Sequence, residues 1–170
     1  KRQVMEVSHR SDLFAEVAAS STKDIKALLN IGDEHEVLFL QGGATLQFTS
    51  VPLNFTKNSS IVSYLNTGLW SKKAIKAASK YASVNVVASS EKSNYTYVPS
   101  TNEWRVDSDS IYFHYVMNET IQGLAMRDPI SSEIPVICDM SSCILSEEVD
   151  FHNLDLVYAV SYTHLTLPTN

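Results

Sequence analysis

Three consecutive stretches decide the fold: Ser60-Ile-Val-Ser-Tyr-Leu65, Ser71-Lys-Lys-Ala-Ile-Lys-Ala-Ala-Ser-Lys-Tyr81 and Val84-Asn-Val-Val-Ala88. The outer two are short apolar runs of strand length. The middle one is an amphipathic helix, with Lys72, Lys76 and Lys80 on one face and Ala74, Ala78 and Tyr81 on the other. A strand, a helix of this length and a second buried strand are the parts of a parallel crossover unit.

Working outward, the alternation continues. Upstream, Ser11 is placed to cap a helix running to Leu29, with Leu13, Phe14, Val17, Ile25, Leu28 and Leu29 near one stripe. Glu36-Val-Leu-Phe-Leu-Gln41 reads as a buried strand. It leads through Gly42-Gly43-Ala44 into a helix from about Thr45 to Val51. Downstream, strands are expected at Ile111–Tyr115, within Glu133–Asp139 and at Leu156–Ala159, with turn and hairpin material at Asn94–Pro99 and Asn102–Arg105. The pattern predicts an α/β domain with a mostly parallel sheet flanked by helices. Such sheets take ligands at the carboxyl ends of their strands.

The 170 residues carry 13 basic and 19 acidic side chains, a net charge of −6. An acidic chain repels nucleic acid and anionic membranes, so neither is an expected partner. No apolar run approaches the length of a transmembrane helix, and no signal peptide is expected behind Lys1-Arg2-Gln3. Cys138 and Cys143 are expected to be structural, and no metal site is expected. The histidines have no nucleophile elbow beside them, and no Walker sequence occurs.

Several residues follow strands and could carry chemistry. Gly42-Gly43-Ala44-Thr45 could cradle a phosphate with backbone amides and a hydroxyl, or be an ordinary tight turn. Asp139 ends an apolar run, where a carboxylate can pair with a protonated ring nitrogen, bind a metal or cap the next turn. Ser141 and Ser142 follow it as donors. Trp70 could stack on a planar ligand or belong to the core, and Thr120 could donate to a ring oxygen or cap a turn. Arg10 could hold a carboxylate, or be solvated.

Read together, these segments resemble the phosphoserine aminotransferase family, in class V of the fold-type I pyridoxal phosphate enzymes. The resemblance rests on Val4–Arg10, Val37–Phe48, Val51–Asn54, Tyr64–Ile75, Asn85–Ser90, His114–Gly123 and Asp139–Ser146, in the family's order. It implies pyridoxal phosphate as cofactor, with Ala44 and Thr45 at its phosphate, Trp70 on its ring, Thr120 near its ring oxygen and Asp139 at its ring nitrogen. Arg10 would bind the substrate carboxylate, with His9 beside it. The implied reaction moves an amino group from glutamate to 3-phosphohydroxypyruvate in serine biosynthesis, and the family is also linked to vitamin B6 synthesis. A cytoplasmic homodimer is implied for the parent protein.

Two departures shape the expectation for this chain. The family's upstream Asn-Phe-Ser-x-Gly-Pro-like segment is absent, so the large domain, residues 1–159, is expected to be cut at both ends. After Tyr158-Ala159 the family continues Gly-Ala-Gln-Lys-Asn, and that lysine is the one joined to the cofactor. Here Tyr162 and Thr163 stand in place of the Gln and Lys. Threonine cannot form an imine, so no catalytic residue is assigned and the chain is expected to be inactive. Residues 160–170 are expected to be a non-native tail. Other class V enzymes, or a non-catalytic α/β binding module, are the alternatives.

Overall fold

A computed structural model of the chain describes residues 4–127, 130 and 132–160. They fall into two compact units, Lys1–Leu40 and Gln41–Asn170.

The first unit holds a 3-10 turn, Val4–Glu6, and helix α1, Asp12–Leu29. Ser11 caps α1 as expected: its Oγ accepts from the amide of Phe14 at 3.3 Å. Asn30 ends the helix in the left-handed region at φ 51°. The stripe predicted for α1 is not covered within the described residues, and no residue of the helix is buried.

The strand expected at Glu36–Gln41 is a correction. Those residues are irregular, and Leu38, Phe39 and Leu40 are 73%, 60% and 67% exposed. A short apolar run becomes a strand only when a neighbouring strand takes up its backbone groups, and among the described residues none pairs with it.

The second unit opens with helix α2, Gly43–Phe55, and continues through strand β1 (Ile61–Asn66), helix α3 (Leu69–Ala78) and strand β2 (Ser83–Ser89). Strand β3 (Ser110–Val116) leads into a two-strand hairpin, β4 (Asn118–Glu119) and β5 (Leu124–Ala125). Strands β6 (Val136–Asp139) and β7 (Leu156–Tyr158) complete it. The five-stranded sheet has the order β2-β1-β3-β6-β7, and every pairing in it is parallel. Of the stretches expected as turn and hairpin material, Asn94–Pro99 opens in a turn and Asn102–Arg105 begins within a 3-10 turn, Thr101–Glu103, and neither forms a hairpin.

Helix α2 runs past the predicted end at Val51. The residue before a proline is disfavoured in a helix, yet Val51 and Pro52 both stay helical and buried. Val51 lies in the core layer with Phe48, and that burial outweighs the local preference. The same layer takes Val62 and Tyr64 from β1, Tyr112 from β3, Ile137 from β6 and Tyr158 from β7. Ala74 and Ala78 of α3 close it, and their small size lets the helix sit directly on the sheet.

The sheet's aromatic rings hold this layer in register. The hydroxyls of Tyr64 and Tyr112 are 2.8 Å apart, Tyr64 stacks on His114 at 4.6 Å, and Phe48 meets Tyr158 edge-on at 6.2 Å. On the opposite face Trp104 leans on Phe113 at 5.3 Å, and Ser63, Ser110 and Asn85 share hydrogen bonds of 2.9 and 3.0 Å.

Winding places the ligand end of the sheet. From β1 the chain crosses to β2 on one side, then returns past β1 to β3 on the other. The direction of winding therefore reverses between β1 and β3, which opens a crevice at their carboxyl ends.

Truncating the buried Phe48 to Ala is expected to lower unfolding stability by about 3 kcal/mol in urea titrations. Phe39→Ala, on an exposed ring, is expected to change it by less than about 0.5 kcal/mol.

Candidate functional site

Six sequence-nominated residues converge at this crevice. Ala44 from α2, Trp70 from α3, Thr120 after β4, Asp139 at the end of β6 and the following Ser141 and Ser142 line one pocket, joined by Asn118. Each arrives by a different local device.

Ala44 is carried by the start of α2. Gly42 and Gly43 both have positive φ, 98° and 60°, which other residues rarely adopt. A Cβ on Gly42 would also collide with Leu46. The two glycines turn the chain so that the first amides of α2 face outward beside Ala44. Thr45 sits in the same turn but is exposed and does not line the pocket.

Trp70 is the second residue of α3, and the start of that helix is gripped twice. Ser71 Oγ accepts from the amides of Thr67 and Gly68, each at 2.9 Å. The Glu119 carboxylate accepts from Trp70 N at 2.9 Å and from Ser71 N at 2.8 Å. Glu119 is 1% exposed, so this is a buried carboxylate held at a helix N-terminus, where amides and dipole favour negative charge. Gly68 makes room for it: a Cβ there would lie 2.5 Å from the Glu119 carboxyl carbon. Gln122 Oε1 accepts from Leu69 N at 3.1 Å and completes the cap. Lys73 Nζ lies 4.4 Å from the centre of the Trp70 ring.

Asp139 is 3% exposed, and burial pushes its carboxyl above the ordinary range. Hydrogen bonds with Ser141, including the Ser141 amide on Oδ1 at 2.9 Å, and one with Tyr158 oppose that shift. The charge of Glu119 adds to it. The pocket thus offers one buried carboxylate and no basic side chain among its lining residues. That set of groups suits a flat ligand with a cationic N–H directed at Asp139.

Behind Asp139, His114 Nε2 lies 2.8 Å from the Tyr158 hydroxyl. Burial holds His114 down at about 3, so its ring is neutral. Burial also pushes Cys143 up to about 11 and Cys138 higher still, so both thiols stay protonated. Among the described residues no group of three or more His, Cys, Asp or Glu could hold a metal ion, and no helix is long and apolar enough to cross a membrane.

Arg10 belongs to the first unit, exposed in a turn ahead of α1. Tyr162 and Thr163 lie outside the described residues. Sequence reasoning missed Glu119, Gln122, Tyr158 and His114. Glu119 carried a legible signal, an acidic residue between a buried strand and Thr120. Its partners, two backbone amides in another element, leave no trace in composition.

The aminotransferase class-V family profile matches residues 2–167. The chain is 45% identical over 157 residues to a phosphoserine aminotransferase of Pseudomonas aeruginosa (strain LESB58), covering 92% of this chain and 44% of that protein. A phosphoserine aminotransferase from Bacillus circulans subsp. alkalophilus superposes with a TM-score of 0.88 at 39% identity, over 92% of this chain and 44% of that one. A pyridoxal-phosphate-bound phosphoserine aminotransferase from Trichomonas vaginalis gives 0.86 at 36% identity, over 92% and 47%. The chain spans less than half the length of these relatives.

Two outcomes follow from this geometry. Glu119→Ala strands the Trp70 and Ser71 amides, and is expected to cost about 2 kcal/mol of stability and speed hydrogen exchange at those amides. His114 makes stability pH-dependent. The unfolded chain takes up a proton near the ordinary histidine value of 6.5, whereas the fold resists it to about 3. Stability is therefore lost progressively as pH falls across that interval, and His114→Phe is expected to flatten this part of the curve in urea titrations at stepped pH.

Proposed function

The chain belongs to the aminotransferase class-V family, and on that premise we propose that it carries the cofactor-binding part of a phosphoserine aminotransferase. Pyridoxal phosphate is the cofactor. The observation that carries this reading is the meeting of Trp70, Thr120 and the buried Asp139 around one crevice at the strands' carboxyl ends.

The chemistry the cofactor supplies when bound is electron withdrawal through a protonated pyridine ring, which allows an amino group to pass between an amino acid and a keto acid. The protein's part is placement and charge. Asp139 holds a proton on the ring nitrogen, because a buried carboxylate is stabilised by a cationic N–H beside it. Trp70 provides a flat apolar surface, fixed from behind by Glu119. The Thr120 hydroxyl meets the ring oxygen. The first amides of α2, with Ala44 and the Thr45 hydroxyl, receive the phosphate. Arg10 holds the substrate carboxylate, a role supported by the resemblance alone.

The substrates of the whole enzyme are glutamate and 3-phosphohydroxypyruvate, and its setting is a cytoplasmic homodimer serving serine biosynthesis. In this chain Thr163 stands at the lysine's expected position, residues 1–159 are part of the large domain, and residues 160–170 are a non-native tail. The chain itself therefore does not transaminate. A sulfur-transferring member of the class would need a thiolate, and burial keeps Cys138 and Cys143 protonated.

Titration of the purified chain with pyridoxal phosphate, followed by absorbance and tryptophan emission, is expected to give saturable binding. Asp139→Asn is expected to weaken it about tenfold, through loss of a charge-assisted hydrogen bond. Absence of saturable binding, or equal binding by Asp139→Asn, would refute the cofactor assignment. Phosphoserine formed by the chain from the two substrates would refute its inactivity.

A further inference from the structure

The ladder between β3 and β6 ends at the pocket. Val116 and Asp139 are its last register partners, and the Met117 amide donates to the Asp139 carbonyl at 3.0 Å. Beyond that point the two chains part. One enters the hairpin through Asn118, Glu119 and Thr120, and the other turns through Met140, Ser141 and Ser142. Holding them in place past the ladder falls to side chains.

They meet again at one pair of residues. Ser142 Oγ accepts from Asn118 Nδ2 at 2.8 Å and donates to the Asn118 carbonyl at 3.0 Å. One hydroxyl thus commits its hydrogen and a lone pair to a single residue, which fixes both side chains. Met140 and Cys143 are buried at this turn, and Ser142 is left on its outer side, at the pocket. Alternation along the chain carries the effect onward. Asn118 and Thr120 both line the pocket, while Glu119 between them is taken up by the start of α3. The hairpin is therefore held from two sides, at Glu119 by α3 and at Asn118 by the Asp139 turn.

We propose that Asn118 and Ser142 are positioning residues: their paired hydrogen bonds clasp the hairpin that carries Thr120 to the turn that carries Asp139, and so set the separation of those two groups. The proposal deepens the cofactor reading and rests on it for its purpose. A rigid ring presents its nitrogen and its oxygen at a fixed separation, so the groups that meet them must be held to within about 0.5 Å. The clasp itself stands without the cofactor.

A second tie joins the same two segments further out, the ion pair of Arg127 with Glu147. Its side chains are 65% and 36% exposed, and an exposed ion pair contributes about 0–1 kcal/mol. It also holds the far end of the hairpin, past β5, and neither residue lines the pocket. Asn118 is two residues from Thr120 and Ser142 three from Asp139, so their bonds act where the separation is set.

The test titrates the whole chain with pyridoxal phosphate and with 3-deoxypyridoxal phosphate, which lacks the ring oxygen, and follows tryptophan emission. The unsubstituted chain is expected to prefer pyridoxal phosphate about fivefold, the worth of one hydrogen bond. Ser142→Ala and Asn118→Ala are expected to bring that ratio toward one, with the loss falling on pyridoxal phosphate. Ser142→Thr, which keeps the hydroxyl, is expected to restore it. A ratio unmoved in either alanine variant overturns the proposal, whether both affinities fall together or neither does. Ser142 is exposed, so its substitution leaves the core intact. Without ligand, hydrogen exchange at the Gly123 amide, which donates to the Glu119 carbonyl at 2.9 Å, is expected to speed about fivefold in Ser142→Ala. Unchanged exchange there overturns the clasp. Faster exchange in a chain that binds neither ligand would refute the proposed function and leave the clasp standing.

Discussion

The site depends on the Glu119 carboxylate being sealed under the first turn of α3. One side chain joins two pieces of backbone, the start of α3 and the hairpin after β3, and Ser71 Oγ ties the turn after β1 to the same helix start. A buried charge is tolerated there because both oxygens accept from amides that would otherwise be unsatisfied at the helix end. Gly68 has no side chain because the carboxylate needs that space. The orientation of Trp70 follows, since its own amide is one of the two that Glu119 holds.

A second layer of constraint lies beneath the pocket. The aromatic residues Tyr112, Tyr64, His114 and Tyr158 share one face of the sheet, and each touches the next by a ring contact or a hydrogen bond. Their polar atoms are buried and largely paired, so the rings have few alternative arrangements. Asp139, at the edge of this layer, is held by the strand pairing of β6 with β7 and by Ser141. Rigidity at the pocket floor thus comes from the interior of the fold.

Much of the fold could be read from the sequence because parallel sheets bury both faces, and their strands stand out as unbroken apolar runs. β1, α3, β2 and β3 were legible for that reason. Glu36–Gln41 carried the same signal and is not a strand, since an apolar run does not say whether a partner strand is present. The β4–β5 hairpin was not legible, being two residues on each side. At the site, Trp70, Thr120 and Asp139 were nominated as residues that follow strands, and Ala44 as part of a glycine turn after an apolar run that proved not to be a strand. Thr45, nominated with Ala44 for a phosphate, is exposed and is not among the residues lining the pocket. Glu119, Tyr158 and His114 were not found, because their importance lies in contacts between residues dozens of positions apart.

The reversal of winding between β1 and β3 also has a consequence in time. The β1–α3–β2 crossover is local and can close as soon as residues 61–89 are available, whereas the pocket draws on residues from 44 to 142. In a chain made from its amino end, the Trp70 platform emerges before Glu119, its anchor, and well before Asp139 and Tyr158. The Asp139 carboxylate is thus among the last parts delivered, and the pocket has no earlier, partial form that contains it.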